Sequence, residues 1–436
     1  MPMRLAFGLV ATLSVIGAAT PALSDAAPPR ADAARMAARI EALSRFGANA
    51  DGGVDRVAYS RADLDARAWA MDLMRALKLQ DVRIDAGGNI RGRRPGTAPG
   101  AKPIMFGSHI DSVPGGGNYD GDVGVIAAME AIDLLNAAGV ETRSPLEVVI
   151  FSNEEGGLVG SLALTGAMRP ETLDVTSNAG ITIREGIKKI GGDPDAIDRD
   201  VVKSGALKAF LEVHIEQGAV LDEEDIDIGV VEGIVGIEWW DVTITGVANH
   251  AGTTPMNRRH DALLAAARLI QIVNATAVET PGRHVATVGR IEAFPGAPNV
   301  IPGRVEMSLE IRDLETAKIE SLFSAIEQSA GALAQETAVS VAFERIDVAS
   351  HPALTDERIR AKIAKAAQGL GLSYKTMPSG AGHDAQDMAR IAPTGMIFVP
   401  SAAGVSHSPK EFTEAQDMAN GADVLLRTIL AIDADD

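Results

Sequence analysis

The alternation of helical and strand-like segments constrains the fold of this chain more than any other feature of its sequence. Apolar residues at three- and four-residue spacing predict a first helix from about Ala33. Apolar runs at 104–108 and Leu146–Phe151 predict buried strands, and a helical pattern at 123–137 lies between them. Because crossover helices of this kind join parallel strands, we expect an α/β layer with a mostly parallel sheet.

A different order of elements interrupts this alternation. The predicted segments are, in chain order, a strand at 239–245, a helix at 261–273, strands at 284–291 and 305–312, a helix at about 317–333 and a strand at 338–344. The order β-α-β-β-α-β is that of a ferredoxin-like module. We therefore interpret residues 25–233 and 346–436 as one catalytic α/β domain and residues 234–345 as an inserted second domain.

The first 24 residues have the pattern of a cleavable signal peptide. Arg4 supplies a positive start, residues 5–20 form an apolar run, and Ala22 and Ser24 are small residues before a cleavage site. Cleavage after Ser24 predicts a periplasmic or secreted protein. The alternative is an uncleaved anchor, but the apolar run is short for a membrane span.

Composition limits the chemistry and the partners of the mature protein. The 436 residues include no cysteine, so any metal ion must be held by histidine and carboxylate ligands. The net charge of −19 disfavours binding to nucleic acid and to anionic membranes, whose charge has the same sign. We therefore expect a small-molecule substrate, no nucleic acid and no membrane in the mature form.

Five short clusters of His, Asp and Glu follow apolar strands or flexible loops. They are G-S-H-I-D-S at 107–112, N-Y-D-G at 118–121, N-E-E-G-G at 153–157, H-I-E-Q-G at 214–218 and S-H-S-P at 406–409. Side chains at the carboxyl ends of parallel strands meet in one crevice. Together the clusters offer nitrogen and oxygen ligands but no sulfur, which suits a pair of hydrolytic metal ions. The candidate ligands are His109, Asp120, Glu155, His214 and His407.

Each cluster could also have a purely structural role. Asp120 could cap the helix that begins near Asp122, Glu154 with Glu155 could form a solvated acidic loop, and the lone histidines could be structural. The set as a whole favours metal chemistry, in which Glu154 takes a proton from the attacking water and delivers it to the leaving nitrogen. Asp111, close to a ligand, is expected to orient that ligand.

These motifs and N-H-A-G-T-T-P-M at 249–256, taken in this order, resemble the hydantoinase/carbamoylase amidase family. That family includes N-carbamoyl-L-amino-acid hydrolases, β-ureidopropionases and allantoate amidohydrolases, and it is part of the dinuclear zinc metallopeptidase superfamily. The resemblance runs from about residue 40 to residue 430. It implies two divalent metal ions per subunit, and zinc is expected in preference to manganese, cobalt or nickel. It also implies a homodimer in which the inserted domain dimerises and closes over the site.

The resemblance assigns the ligands to two ions. It implies that His109, Asp120 and His214 hold one of them. Asp120 then bridges to the second ion, which Glu155 and His407 also hold.

Further residues receive roles from the same resemblance. It implies that Glu154 is the catalytic base, that Asp111 is its companion, and that His250 reaches the partner's site to stabilise the oxyanion. The residues that match substrate-binding positions are Gln217, Asn299, Arg312 and Gly382. Arg312 suits a carboxylate, which a guanidinium binds through two parallel hydrogen bonds.

Some of these positions are also compatible with a structural role. Arg312 could form a surface ion pair with Asp313, and His250 could be an ordinary loop residue. His383 and Asp384 could either complete the pocket or fix their own loop by hydrogen bonds.

One departure from the family bears on the substrate. Several allantoate-hydrolysing relatives carry Gln-Arg where this chain has Ile237-Glu238. The loss of a cation near the site weakens the case for a doubly ureidated, acidic substrate such as allantoate. From the motifs as a whole we expect hydrolysis of N-carbamoyl-L-amino acids or similar ureido acids to the amino acid, CO2 and ammonia. The alternatives are an allantoate amidohydrolase, an exported metallo-aminopeptidase or N-acyl-amino-acid deacylase on the same site, and a binding protein that has lost the chemistry.

Overall fold

The computed structural model describes residues 29–435, so the signal peptide predicted at residues 1–24 lies outside the described part of the chain. The α-helices are α1 (Ala33–Ser44), α2 (Arg61–Ala76), α3 (Asp122–Ala137), α4 (Val159–Thr165), α5 (Ile183–Lys189), α6 (Val220–Glu223), α7 (Ala262–Glu279), α8 (Thr316–Thr337), α9 (Glu357–Leu370), α10 (Asp384–Met388) and α11 (Ala415–Asp433).

Two larger sheets and a short ribbon contain the strands. These are β1 (Gln80–Ile84), β2 (Ile90–Arg94), β3 (Ile104–His109), β4 (Leu146–Phe151), β5 (Ala209–Ile215), β6 (Ile228–Ile234), β7 (Gly236–Thr245), β8 (Asn249–His250), β9 (Val285–Thr287), β10 (Ile291–Phe294), β11 (Val300–Ile301), β12 (Arg304–Asp313), β13 (Ser340–Ser350), β14 (Ala353–Leu354), β15 (Tyr374–Ser379) and β16 (Thr394–Val399).

The larger sheet is mixed, with a parallel centre. Its order is β1-β2-β4-β3-β5-β16-β6-β14, and β15 pairs with β6. The central strands β4, β3, β5 and β16 run parallel to one another, as the helix–strand alternation predicts. Antiparallel pairs flank this centre, and β15 pairs in parallel with β6, so the expectation of a mostly parallel sheet holds for the centre and for this one further pair. At one edge the physical reason is the short turn between β1 and β2, which permits only antiparallel pairing.

Alternate residues of the central strands pack on opposite faces of the sheet. In β3, Ile104 and Phe106 belong to a core shared with α1, α3, α9 and α11, whereas Met105 faces a second core that includes α10. Helix α3 is buried on nearly all sides, which explains its almost uninterrupted apolar sequence. These layers hold the carboxyl ends of the central strands rigidly at one edge.

The smaller sheet is antiparallel and comes from the middle of the chain. Its order is β10-β12-β7-β13, with β9 beside β12, and helices α7 and α8 cover one face. Trp240, Leu309 and Ile326 lie in a core separate from those of the larger sheet. If β9 and β10 are counted as one interrupted strand, the element order is the ferredoxin-like one that the sequence predicts. Strand β13 continues to Ser350, and the domain boundaries at 234 and 345 stay predictions.

Among the described helices, α7 is long and apolar enough to cross a membrane by length and composition. Its buried residues pack in the core of the smaller sheet. They are Ala262, Ala265, Ala266, Leu269 and Val273.

Candidate metal centre

The predicted metal ligands lie near the carboxyl ends of the four central strands. His109 ends β3, His214 lies near the end of β5, Glu155 follows β4, and His407 is in the loop after β16. Asp120 precedes helix α3. The sheet order β4-β3-β5-β16 therefore brings together residues that are distant in the sequence.

Asp120 stands between two groups of side chains. Its Oδ1 atom lies 3.1 Å from Nε2 of His214 and 3.6 Å from Nε2 of His109. Its Oδ2 atom lies 3.2 Å from Nε2 of His407, which is also 3.5 Å from Oε2 of Glu155. Within each group the ligand atoms lie within 4.8 Å of one another. The Asp120 carboxylate is therefore in a position to bridge two ions.

The hydrogen bonds of two buried imidazoles test whether cations fit this site. Nδ1 of His109 lies 3.0 Å from the Asp111 carbonyl oxygen, and Nδ1 of His214 lies 2.9 Å from that of Ile215. Because a carbonyl only accepts, each Nδ1 carries a proton, and in the neutral ring that binds a metal each Nε2 presents a lone pair. Neither Nε2 has a hydrogen-bond partner among residues 29–435, and both face the Asp120 carboxylate. A divalent cation bound between the imidazole nitrogens and the carboxylate would accept electron pairs from all of them, so these hydrogen-bond acceptors would no longer lie unpaired against one another.

Buried carboxylates give the site an unfavourable electrostatic balance that bound cations would correct. Burial raises the pKa of Glu154 well above its ordinary value and that of Glu155 to about 7. Burial acts in the same direction on Asp120, but its close contacts with the imidazoles of His109, His214 and His407 hold the pKa of Asp120 well below its ordinary value. Positive charge placed between the two groups would stabilise these carboxylates in their ionised form.

Asp120 does not cap helix α3. The residue at the N-cap position is Gly121, with φ of 67°, and no side chain caps the helix. A Cβ atom on Gly121 would lie 2.4 Å from the His109 ring. The residue between Asp120 and the helix must therefore be glycine, both for its backbone conformation and for the space that the ring occupies.

Asp111 supports the turn of Glu154 and Glu155 rather than the ring of His109. Its carboxylate accepts hydrogen bonds of 3.2 Å from the backbone N–H groups of both glutamates. Nδ1 of His109 is 3.9 Å from that carboxylate but 3.0 Å from the Asp111 carbonyl. The backbone of Asp111 therefore orients the His109 ring, and its side chain holds the backbone of Glu155, another predicted ligand. The side chain also places Glu154, whose Oε2 lies 3.8 Å from Nε2 of His109.

A third group of ligand-type residues lies behind His214. Glu212, His214 and His383 have side-chain atoms close enough to hold an ion. Both Glu212 oxygens already accept hydrogen bonds, from the Ser108 hydroxyl and from the backbone N–H of Ala385. These bonds make the group a structural support for the His214 strand.

Gln217, which is predicted to bind substrate, lies against the predicted metal ligands. Its Nε2 donates a 2.7 Å hydrogen bond to Oδ2 of Asp120 and lies 3.4 Å from Nε2 of His407. Its backbone adopts φ of 57°, and this left-handed conformation helps turn the chain after β5.

Arg312 connects the smaller sheet to the loop that contains Gly382. Its Nε pairs with Glu310 at 2.8 Å, and its Nη1 donates a 2.7 Å hydrogen bond to the Gly380 carbonyl. Among the described residues Arg312 does not pair with Asp313, which instead accepts a backbone hydrogen bond from Glu315. Arg312 is therefore placed at the junction between the smaller sheet and the site. Within the same loop His383 contacts the Ser379 hydroxyl at 2.8 Å, which favours a loop-fixing role.

The β8–β11 ribbon brings His250 and Asn299 together. The N–H of Ala251 donates to the Asn299 carbonyl at 3.0 Å, and Nδ1 of His250 accepts from Gly252. Both residues are exposed, and their hydrogen bonds stay within the ribbon and the turn that follows it. The role predicted for His250 requires a second copy of the chain and stays a prediction.

Arg56 is a supporting residue that no motif marks. It is buried, donates to the carbonyl of Ile110 and forms an ion pair with Asp122. It thereby ties the turn between His109 and Asp111 to the start of α3. Breaking a buried pair of this kind leaves an uncompensated charge, so loss of the Arg56 side chain is expected to destabilise the protein as well as to loosen this turn.

Comparison with known proteins identifies the relatives of this chain. A model described as peptidase family M20/M25/M40 matches residues 105–431. The N-carbamoyl-L-amino acid amidohydrolase of Geobacillus stearothermophilus is 41% identical over 400 residues, which cover 91% of this chain and 97% of that protein. The allantoate amidohydrolase of Bacillus subtilis (strain 168) is 36% identical over 395 residues, covering 88% and 94%.

Solved structures agree with these sequence likenesses. An amidase of the hydantoinase/carbamoylase family from Burkholderia multivorans has a TM-score of 0.87 at 35% identity, covering 93% of this chain and 99% of that one. The fold and these likenesses define a hydrolase that acts on C–N bonds. The chain belongs to the peptidase family M20/M25/M40 and, within it, to the hydantoinase/carbamoylase amidases, which confirms the resemblance seen in its motifs.

Proposed function

We propose that this protein hydrolyses the C–N bond of N-carbamoyl-L-amino acids or closely similar ureido acids, with two divalent metal ions bound at the site. The proposal depends most on the two buried imidazole nitrogens that face the Asp120 carboxylate without a hydrogen bond to it. Relatives named N-carbamoyl-L-amino acid amidohydrolase, ureidoglycolate hydrolase and allantoate amidohydrolase support the substrate class. The reaction consumes one water and yields the amino acid, CO2 and ammonia.

Glu154 is suited to move the proton in this reaction. The ions, when bound, would polarise the scissile carbonyl and lower the pKa of the attacking water. The Glu154 carboxylate then accepts a proton from the water and delivers it to the leaving nitrogen. Burial raises the pKa of Glu154 well above its ordinary value, which favours the protonated form that the second transfer requires.

Arg312 is suited to bind the substrate carboxylate. Its pairing with Glu310 and its bond to the Gly380 carbonyl hold the guanidinium at the edge of the site. These bonds leave further N–H donors for a carboxylate. N-carbamoyl amino acids and other ureido acids carry this group, whereas simple ureas do not.

A panel of substrates tests the function directly. Ammonia release by the metal-loaded protein is measured with N-carbamoyl-L-amino acids, their D-enantiomers and allantoate, and product amines are measured with N-acetyl amino acids and dipeptides. We expect turnover of L-ureido acids that is lost after treatment with a chelator and restored by divalent metal. Cleavage of dipeptides or N-acetyl amino acids alone would contradict the proposal.

Arg312→Met is expected to raise KM for N-carbamoyl amino acids roughly 10- to 100-fold, because a hydrogen bond to a charged group is worth about 1.5–3 kcal/mol. The kcat/KM for an N-alkylurea without the carboxylate should change little. The matched control is Arg304→Met, since Arg304 lies on the same strand and pairs with Glu306 at 2.7 Å. Equal losses for the acid and the urea would show that Arg312 does not bind the carboxylate.

The proposal includes a homodimer in which His250 serves the partner's site. Glu154→Gln and His250→Ala proteins, each inactive alone, are expected to regain part of the activity when their subunits are mixed, because one site of each mixed dimer is intact. Sedimentation gives the oligomeric state. Mixtures with no more activity than the separate variants would place His250 within its own subunit's site or outside the reaction.

We propose that the mature protein is exported, because residues 1–24 have the pattern of a signal peptide. The N-terminal sequence of the protein purified from the periplasm or medium of its host tests this. Cleavage after Ser24 predicts a chain that begins at Asp25.

A further inference from the structure

Glu411 is a buried residue in the loop that follows His407. Its Oε1 accepts hydrogen bonds from the backbone N–H groups of Tyr119 at 2.9 Å and Asp120 at 3.0 Å. Its Oε2 accepts from the Ser406 hydroxyl at 2.9 Å and from the backbone N–H of His407 at 3.2 Å. One carboxylate therefore holds the backbone of two predicted ligands that are far apart in the chain.

The chain leaves room for this carboxylate at Gly117. A Cβ atom on Gly117 would lie 2.2 Å from Oε1 of Glu411 and 2.3 Å from its Cδ. No side chain other than hydrogen fits there without displacing Glu411. The glycine before the Asn118–Asp120 segment is thus explained by the carboxylate packed against it.

The two ion sites depend on this arrangement to different degrees. His109 and His214 are in or at the ends of buried strands, and each ring is held by a neighbouring backbone carbonyl. The His407 side chain is 50% exposed, on a loop with φ of 52° at that residue. Glu411 bonds directly to the backbone of His407 and to that of Asp120. Glu411 thus fixes the backbone of two of the three ligands in the site that contains His407, but only that of Asp120 in the other site, where both histidines are held by their own strands.

We propose that Glu411 is a positioning residue that builds the ion site of Asp120, Glu155 and His407 by fixing the backbone of Asp120 and His407 through one carboxylate. This rests on the proposed function only in requiring that the site binds metal. Loss of the Glu411 carboxylate should weaken binding at this site and spare the site of His109 and His214.

Glu411→Gln is the most informative variant because it keeps the size of the side chain. The amide has one accepting oxygen, and its NH2 group would face either the N–H groups of Tyr119 and Asp120 or the groups at Ser406 and His407. Co²⁺ is titrated into the metal-free protein and followed by calorimetry and by visible absorption. We expect the second binding step to weaken roughly 10- to 100-fold, the usual effect of losing a residue that supports metal ligands, and the first step to be unchanged.

Two further variants separate positioning from folding. Gly117→Ala should displace the Glu411 carboxylate and weaken the same binding step, although it leaves the charge in place. The matched control is Glu414→Gln, an exposed glutamate on the same loop, which should bind both equivalents as the wild type does. Activity of Glu411→Gln should return when the Co²⁺ concentration is raised, and thermal unfolding of the metal-free proteins reports on the fold.

The outcomes distinguish this inference from the proposed function. Equal weakening of both binding steps in Glu411→Gln and Gly117→Ala, or unchanged binding in both, would overturn the positioning role. If the wild type binds two Co²⁺ ions and Glu411→Gln loses one selectively, the inference stands even if no ureido acid is hydrolysed. If the wild type binds no Co²⁺, the inference and the metal-dependent mechanism are both wrong. If the wild type binds both ions but hydrolyses no ureido acid, only the proposed substrate is wrong.

Discussion

Glu154→Gln is expected to lower kcat for a ureido acid by about 10²- to 10⁴-fold, the range that general acid–base catalysis contributes. Glutamine keeps the volume of the side chain and the backbone hydrogen bond to Asp111, but it can neither accept the water proton nor return it to the leaving nitrogen. Because Glu154 is not among the predicted ligands, metal content should stay at the wild-type level. Steady-state kinetics on the metal-loaded protein measure kcat and KM.

The control for this prediction is again Glu414→Gln, which removes one exposed carboxylate from the chain without touching the site. It should keep the wild-type kcat. A Glu154→Gln protein that retains its activity would show that another group moves the proton. A Glu154→Gln protein that loses its metal would show that Glu154 is a ligand, and the assignment of the two adjacent glutamates would have to change.

The sequence could predict that the five ligands lie together, because this depends on strand patterns that are visible in the sequence itself. Apolar runs mark strands such as β3 and β4, and side chains at the carboxyl ends of adjacent parallel strands share one edge of a sheet. The loops between them do not alter that geometry. Strand direction at the sheet edges left no comparable pattern, since β2 contains one apolar residue and β14 is only two residues long.

The supporting residues could not be expected in the same way. Asp111 and Glu411 bind backbone N–H groups, and every residue except proline offers the same N–H group, so these partners leave no motif. The glycines on either side of Asp120 are the sequence feature that could have indicated these supporting contacts. Gly117 and Gly121 flank Asp120, and each is explained by a side chain packed against it, the carboxylate of Glu411 and the ring of His109.

The structure limits what the departure from the family pattern at Ile237-Glu238 implies about the substrate. Ile237 is paired in register with Arg312, so the two side chains share the face of the smaller sheet that bears on the site. Glu238 is buried on the opposite face, where it pairs with Arg345 at 2.6 Å. Of the two positions, only 237 can influence a substrate held by Arg312, and the acidic residue at 238 says nothing about substrate charge.

Asp120→Asn is expected to lower kcat/KM by about 10³-fold or more, because each bound ion supplies several kcal/mol of charge stabilisation. The two Asp120 oxygens face different groups, His214 with His109 on one side and His407 on the other. An asparagine offers one ligand oxygen and no charge, so both ions lose affinity. Metal analysis after dialysis, and Co²⁺ titration of the metal-free variant, measure the two binding steps.

His407→Ala is the comparison that gives this prediction its meaning. It removes a ligand from one group only, so the binding step that involves His109 and His214 should persist while the other is lost. Asp120→Asn should instead weaken both steps, because its carboxylate is the one group common to the two clusters. If Asp120→Asn weakened a single step, as His407→Ala does, Asp120 would be a ligand of one ion and the two clusters would not share a bridge.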